Sequence, residues 1–379
     1  MSNSARDRAA AWLKAWDGQG THRTGSAGDQ VGAAWLADEV KALGLAPQIE
    51  EFALDRLDPL DAYLEIGGER IDGVPLFDAS ASGPDGVTGE LGLVGGDAAI
   101  GVAELGPREV YSGEAERVRK NGGHRALAVL CRGETPGLGL LNAEHFRHPY
   151  GPPALHLPSE ARERVLAAAM AGAAGRAVSH SRRVASLARN VVVTIAGDDR
   201  NRPPLVVMTP RSSWWQSTAE RGGGLVCWLE VLRVLAAEPP SRDVVFTANS
   251  GHELNHLGLD DFLARRPGRE TSATWVHFGA NLGAAGGTLS VMSADDDLRR
   301  LASAELQRAG HPAGTVAPKT AVPSGETRDI HRAGGRYLTL VGTNPLFHLP
   351  QDRWPHVVDL DAVTRIAAAA AAMVQALAR

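Results

Sequence analysis

Asn190–Ile195 (NVVVTI), Leu205–Thr209 (LVVMT) and Asp243–Ala248 (DVVFTA) are short, β-branched runs bounded by turn or polar residues. Gly224–Ala237 and the stretch near Leu254–Ala264 have the length and apolar spacing of helices. Strands that alternate with helices predict an α/β fold with a mixed, mostly parallel central sheet flanked by helices. In such sheets ligands bind where strands end and helices begin. Three polar clusters fall at those junctions: Pro210-Arg211-Ser212-Ser213-Trp214-Trp215, Ser217-Thr218-Ala219-Glu220-Arg221-Gly222 and Ser250-Gly251-His252-Glu253. The chemistry is therefore expected there.

On the N-terminal side, residues 4–16 and 27–43 read as helices, the second capped by Ser26 or Gly28 and ended by Gly44. Gln48–Leu54 reads as a strand. From about Pro59 to Ser186 the texture changes to short β-like runs broken by Gly and Pro. This predicts a β-rich domain, residues 59–186, inserted into an α/β domain made of residues 1–58 and 187–379. The last helix is expected over Leu360–Ala378.

Composition excludes several classes. With 44% hydrophobic and 22% charged residues the chain reads as an ordinary globular protein. A net charge of −5 without a basic block argues against nucleic acid. No stretch reads as apolar enough to span a membrane, and the N-terminus has no apolar signal core, so a cytoplasmic location is expected. Cys131 and Cys227 lie in apolar surroundings and suggest neither a disulfide framework nor a thiolate metal site. Homo-oligomerisation is left open.

Taken together, the motifs resemble the M28 family of zinc peptidases, which includes two-zinc aminopeptidases and single-zinc glutaminyl cyclases. His22-Arg23-Thr24-Gly25-Ser26-Ala27-Gly28 is similar to the family's N-terminal R-x-G-S-x-G segment, and Phe347-His348-Leu349-Pro350-Gln351-Asp352 to its C-terminal segment. Residues 60–186 resemble a protease-associated domain. The resemblance implies a zinc-peptidase-like fold and a set of ligand positions in which this chain departs from the family. The first histidine ligand becomes Pro210 and its neighbouring Asp becomes Ser212. The bridging Asp becomes Glu220, the general base becomes His252, and a further Asp ligand becomes Ala280. Glu253 and His348 are kept. The losses fall on one of the two metals, so the resemblance implies one zinc per chain on Glu220, Glu253 and His348, or none.

His252 is the candidate acid/base, because imidazole titrates near neutrality. Arg211, Ser212, Trp214, Trp215, Asn281 and Glu326 are candidate substrate contacts. Each has an ordinary alternative: Glu253 paired with Arg211 or Arg221, Glu220 as an acidic residue in a helix's first turn, and loop polarity for the rest. His252-Glu253-Leu254-Asn255-His256 also spells H-E-x-x-H, but Asn249-Ser250-Gly251 before it predicts a turn rather than the helix interior that motif requires. The expected function is hydrolysis, or amide transfer, on a peptide or small amide. The alternatives are a metal-free relative that binds such a ligand without cleaving it, and metal-independent acid/base chemistry through His252.

Overall fold

Two strands, far longer than their apolar runs suggest, set the architecture. Gln48–Ile66 and Ala174–Ile195 pair antiparallel along nearly their whole length, with one irregularity between Pro59 and Asp61. Proline has no N–H for the ladder, which places a break in register there. Polar residues conceal these strands in the sequence because much of the ribbon is exposed on one face. The ribbon runs without interruption past residues 58–59 and 186–187, where the composition changes. The computed structural model describes residues 4–106 and 109–379.

At one end the ribbon joins the main sheet. The order is Thr315–Val316, Leu289–Met292, Arg336–Gly342, Thr274–Phe278, Leu205–Pro210, Val244–Asn249 and Ala174–Ile195. The four strands from Arg336–Gly342 to Val244–Asn249 are mutually parallel, and both flanking pairings are antiparallel. Every residue of Leu205–Pro210, Val244–Asn249 and Thr274–Phe278 is buried, which explains their near-continuous apolar reading. At the other end, Val87–Leu93, Ile100–Leu105, Ala126–Cys131 and Ala154–Leu157 form a parallel run with its own apolar cluster around Leu91, Val102, Ala128 and Leu155. The first of these strands is antiparallel to the ribbon.

The central helix begins at Thr218 rather than Gly224 and runs to Ala237. Its first turn is capped from afar, because the Asp352 carboxylate accepts the N–H groups of Ala219 (2.7 Å) and Glu220 (3.0 Å). Glycines bring this turn against the strand ends. A Cβ on Gly223 would lie 1.8 Å from the Leu282 carbonyl oxygen, and one on Gly224 2.6 Å from Thr209 Oγ1.

The final helix, Leu360–Ala378, corrects one sequence expectation. Its 19 residues include a window of mean hydropathy 1.4, which makes it long and apolar enough to cross a membrane. Here that apolarity faces the core: Val363, Ile366, Ala370, Met373 and Val374 pack with the Thr218–Ala237 helix. Alanine gives the helix its smooth, closely approaching side.

Replacing Gly223 by Ala should destabilise the protein by about 3 kcal/mol, since the new methyl meets fixed backbone. The urea midpoint of Gly223→Ala is predicted to fall well below that of the unaltered chain. An unchanged midpoint would show that the helix does not sit against Leu282.

Candidate active site

The strand ends deliver the three polar clusters to one buried centre, together with the turn at His348. Glu220 lies in the first helical turn and is fully buried. The next residue, Arg221, folds back so that Nη2 stands 2.7 Å from Glu220 Oε1, while its Nε donates to the Ser212 carbonyl at 2.7 Å. Burial pushes the Glu220 carboxyl up, but Arg221 and then the neighbouring histidines outweigh this, so it is held below the ordinary range and ionised. His348 presents Nε2 at 3.6 Å from Glu220 Oε1, and its Nδ1 bonds to the Leu140 carbonyl at 2.6 Å. His348 has a left-handed backbone, φ 62°, which orients the ring inward.

Glu253 does not join this pair. Its Oε1 accepts both the N–H and the hydroxyl of Thr24 at 2.7 Å, and its Oε2 accepts the Ser212 hydroxyl at 2.6 Å. Burial raises its carboxyl despite those donors. Ser212, where the resemblance expects an Asp, thus serves as a clamp on Glu253, and its Oγ also accepts the His252 N–H at 3.1 Å.

His252 instead faces Glu326. Its Nδ1 is 2.9 Å from Glu326 Oε1, and His277 Nε2 is 3.3 Å from the other carboxylate oxygen. Burial and then Arg221 lower His252 to about 4, against the pull of Glu326, so the ring is neutral at ordinary pH. Glu326 would be raised by burial, but His252 and His277 hold it well below its ordinary value. His256 comes alongside, with ring centroids 5.3 Å apart and its Nδ1 2.6 Å from Asp329 Oδ2. The segment is a 3-10 turn, His252–Leu254, followed by left-handed Asn255 and His256. This turn, not a helix, brings the two histidines of the H-E-x-x-H string together.

The other expected contacts divide. Arg211 is fully buried, pairs with Asp29 at 3.0 Å and donates to the carbonyls of Asp29 and Arg189, so it braces the Ala27–Ala42 helix instead of facing a ligand. Neither Arg211 nor Arg221 pairs with Glu253. Asn281 has a left-handed backbone and donates to the Gly342 carbonyl at 3.2 Å. Trp214 is buried against Phe77, centroids 4.4 Å apart, with Nε1 on Asn142. Trp215 donates to the His348 carbonyl at 2.9 Å and lines a cavity of about 550 Å³ with Thr21, Arg23, Phe77 and Leu140. Arg221, His277 and Asp329 join the site without having been singled out for it, and His256, weighed only as part of the H-E-x-x-H string, joins it by way of the turn. His277, a histidine inside the apolar run Thr274–Phe278, is the signal that could have been followed.

The zinc implied by this architecture can be tested against these donors. At Glu220 and His348 a buried guanidinium already neutralises the carboxylate, Glu253 is engaged elsewhere, and Pro210 and Ala280 offer no ligand atom. That set does not fit. Among the described residues, one group of His, Cys, Asp or Glu side chains brings its ligand atoms within 4.8 Å of one another: His252, His256 and Glu326. Two imidazoles and a carboxylate are ordinary zinc ligands. The Asp329 contact to His256 and the His277 contact to Glu326 are the kind of outer support that orients such ligands.

Comparison with known proteins agrees on the fold. Residues 215–374 match the profile of Peptidase family M28. The zinc aminopeptidase BSAP from Bacillus subtilis superposes with TM-score 0.80 at 16% identity, covering 99% of this chain and 95% of that one. The aminopeptidase from Aneurinibacillus sp. strain AM-1 gives 0.74 at 16% identity, covering 99% and 94%. The M28 peptidase precursor from Shewanella amazonensis SB2B gives 0.73 at 13%, covering 99% and 95%. No curated protein sequence matches significantly. The chain therefore has the M28 peptidase-like fold.

Asp352, beneath Glu220, gives the site a pH signature. Burial raises its carboxyl from 3.8 to about 7 in the folded protein. The folded state then holds the proton more tightly, so this group's stabilisation is greatest below the unfolded value and is lost as pH rises towards 7. The stability of the native chain relative to Asp352→Asn should fall between pH 4.5 and 7. Urea unfolding across that range checks it, and a difference independent of pH would contradict it.

Proposed function

We propose that the protein is a metallohydrolase of the peptidase type acting on a peptide or small amide, with one cation held by His252, His256 and Glu326. The observation that carries this reading is the convergence of those three side chains, with Asp329 behind His256 and His277 behind Glu326, beside the Glu220–His348 pair. Such a cation would polarise the amide carbonyl and supply a nucleophilic water at neutral pH.

The chain's own residues supply the remainder. Asp329 at His256 Nδ1 fixes the proton on that nitrogen and leaves Nε2 with its lone pair. The Leu140 carbonyl does the same for His348, so His348 Nε2 and the ionised Glu220 are two acceptors 3.6 Å apart. Two facing acceptors suit taking a proton from water and returning it to a leaving amine. The segment 138–146 shuts out bulk water: Ala143 N–H donates to the Glu253 carbonyl, Asn142 Oδ1 accepts from Trp214 and Leu140 holds His348. Arg328, paired with Glu144 at 2.7 Å, ties the same segment to the loop that carries Glu326.

A second reading, ligand binding without hydrolysis, has Arg221 in its favour, since a side-chain cation stands where Glu220 would otherwise meet a metal. Elemental analysis separates the two. Protein purified without chelator is predicted to hold about one zinc per chain. His256→Ala should abolish it and Glu253→Ala should leave it in place. Absence of metal in the unaltered protein, or its loss with Glu253→Ala alone, would remove the hydrolase reading in this form.

A further inference from the structure

Around Glu220 several polar atoms are sealed from solvent without a hydrogen bond: Arg221 Nη1 and Nη2, Glu220 Oε1 and Oε2, and His348 Nε2. Arg221 and Glu220 touch at 2.7 Å as an ion pair, yet they are not aligned as donor and acceptor. Buried polar groups in folded proteins are nearly always satisfied, and those left over at one centre mark a place where a polar partner belongs. Here the leftover atoms are of both kinds. The guanidinium offers donors, while Glu220 and His348 Nε2 offer acceptors, the His348 tautomer being set by the Leu140 carbonyl.

The charge balance selects the partner. Arg221 and Glu220 cancel, and His348 is kept neutral by burial against the pull of Glu220. A carboxylate added beside Glu220 would be a buried, uncompensated anion, and an ammonium beside Arg221 an uncompensated cation. A neutral group that carries one acceptor and one donor a short distance apart meets both needs. An amide is such a group.

We propose that Arg221, Glu220 and His348 form a clamp for one amide group of the ligand, Arg221 donating to the carbonyl oxygen and Glu220 or His348 accepting from the N–H. Arg221 is then a specificity-determining residue, not a structural leftover. The rest of the ligand lies in the adjoining cavity of about 550 Å³, whose wall includes Phe77, Trp215 and Leu140. Trp215 and Leu140 are the two residues that also hold His348, so clamp and cavity share a wall. The aromatic lining suits an apolar or aromatic substituent.

The clamp depends on the proposed function for its choice of ligand, but its test breaks no bond. Calorimetric titration of the full chain, in chelator, with hydrocinnamamide, hydrocinnamate and phenylpropylamine compares three ligands that differ in one group. The amide should bind at least about tenfold more tightly than the acid or the amine. Arg221→Lys should weaken the amide by about tenfold or more, because an ammonium cannot present the same fork of donors. Glu220→Gln should weaken it too and shift the preference towards hydrocinnamate, whose carboxylate then answers the unpaired Arg221; its urea midpoint should fall, so binding is compared where circular dichroism shows the variant folded. Equal or tighter binding of the acid by the unaltered chain, no binding of any of the three, or amide binding indifferent to Glu220→Gln would overturn the clamp. Loss of zinc or of hydrolysis would not touch it.

Discussion

The ion pair between Glu220 and Arg221 is the constraint on which the centre of this protein depends. Both side chains are fully buried, and they are adjacent in sequence at the start of the central helix. A buried charge without its partner is strongly destabilising, so neither can leave without the other's environment changing. The pair keeps Glu220 ionised, contributes to the neutrality of His252, and leaves no uncompensated carboxylate at the start of the central helix. In the proposed reading, cation binding then falls to His252, His256 and Glu326.

The β-rich segment is mechanically part of this centre. The long ribbon joins it to the main sheet, and residues 138–146 reach back to His348, Glu253, Trp214 and Arg328. Two of these contacts use the segment's backbone, at Leu140 and Ala143, and two use its side chains, Asn142 and Glu144. A polar centre sealed in this way has a low local dielectric, which strengthens each charge interaction within it and makes any unpaired group costly. The same enclosure restricts what can enter.

Much of the fold was legible in the sequence, and the reason is burial. Leu205–Pro210 and Val244–Asn249 are covered on both faces, and their β-branched runs say so directly. The ribbon was legible only at its buried ends, because its middle, where the consecutive Arg182 and Arg183 are both exposed, is open to solvent and free to be polar. The start of the helix at Thr218 was hidden by three glycines, which read as a loop; here they permit close approach to Leu282 and Thr209. Within the site, motif order singled out Glu220, His252, Glu326 and His348, which the fold brings near one another. Their pairings did not. Sequence order places Glu253 near the centre, but only three dimensions show Thr24 and Ser212 holding it. Arg221 could be read as a helix-start residue, and nothing local shows that it turns inward. His256 was set aside because its motif belongs in helices, whereas left-handed backbone at Asn255 and His256 delivers the ring by another route.

Anomalous diffraction at the zinc edge, from crystals of the chain grown with zinc, tests the central claim most directly. The account predicts one peak among His252, His256 and Glu326, with the Arg221 guanidinium still against Glu220. A peak between Glu220 and His348, with Arg221 swung away, would contradict it.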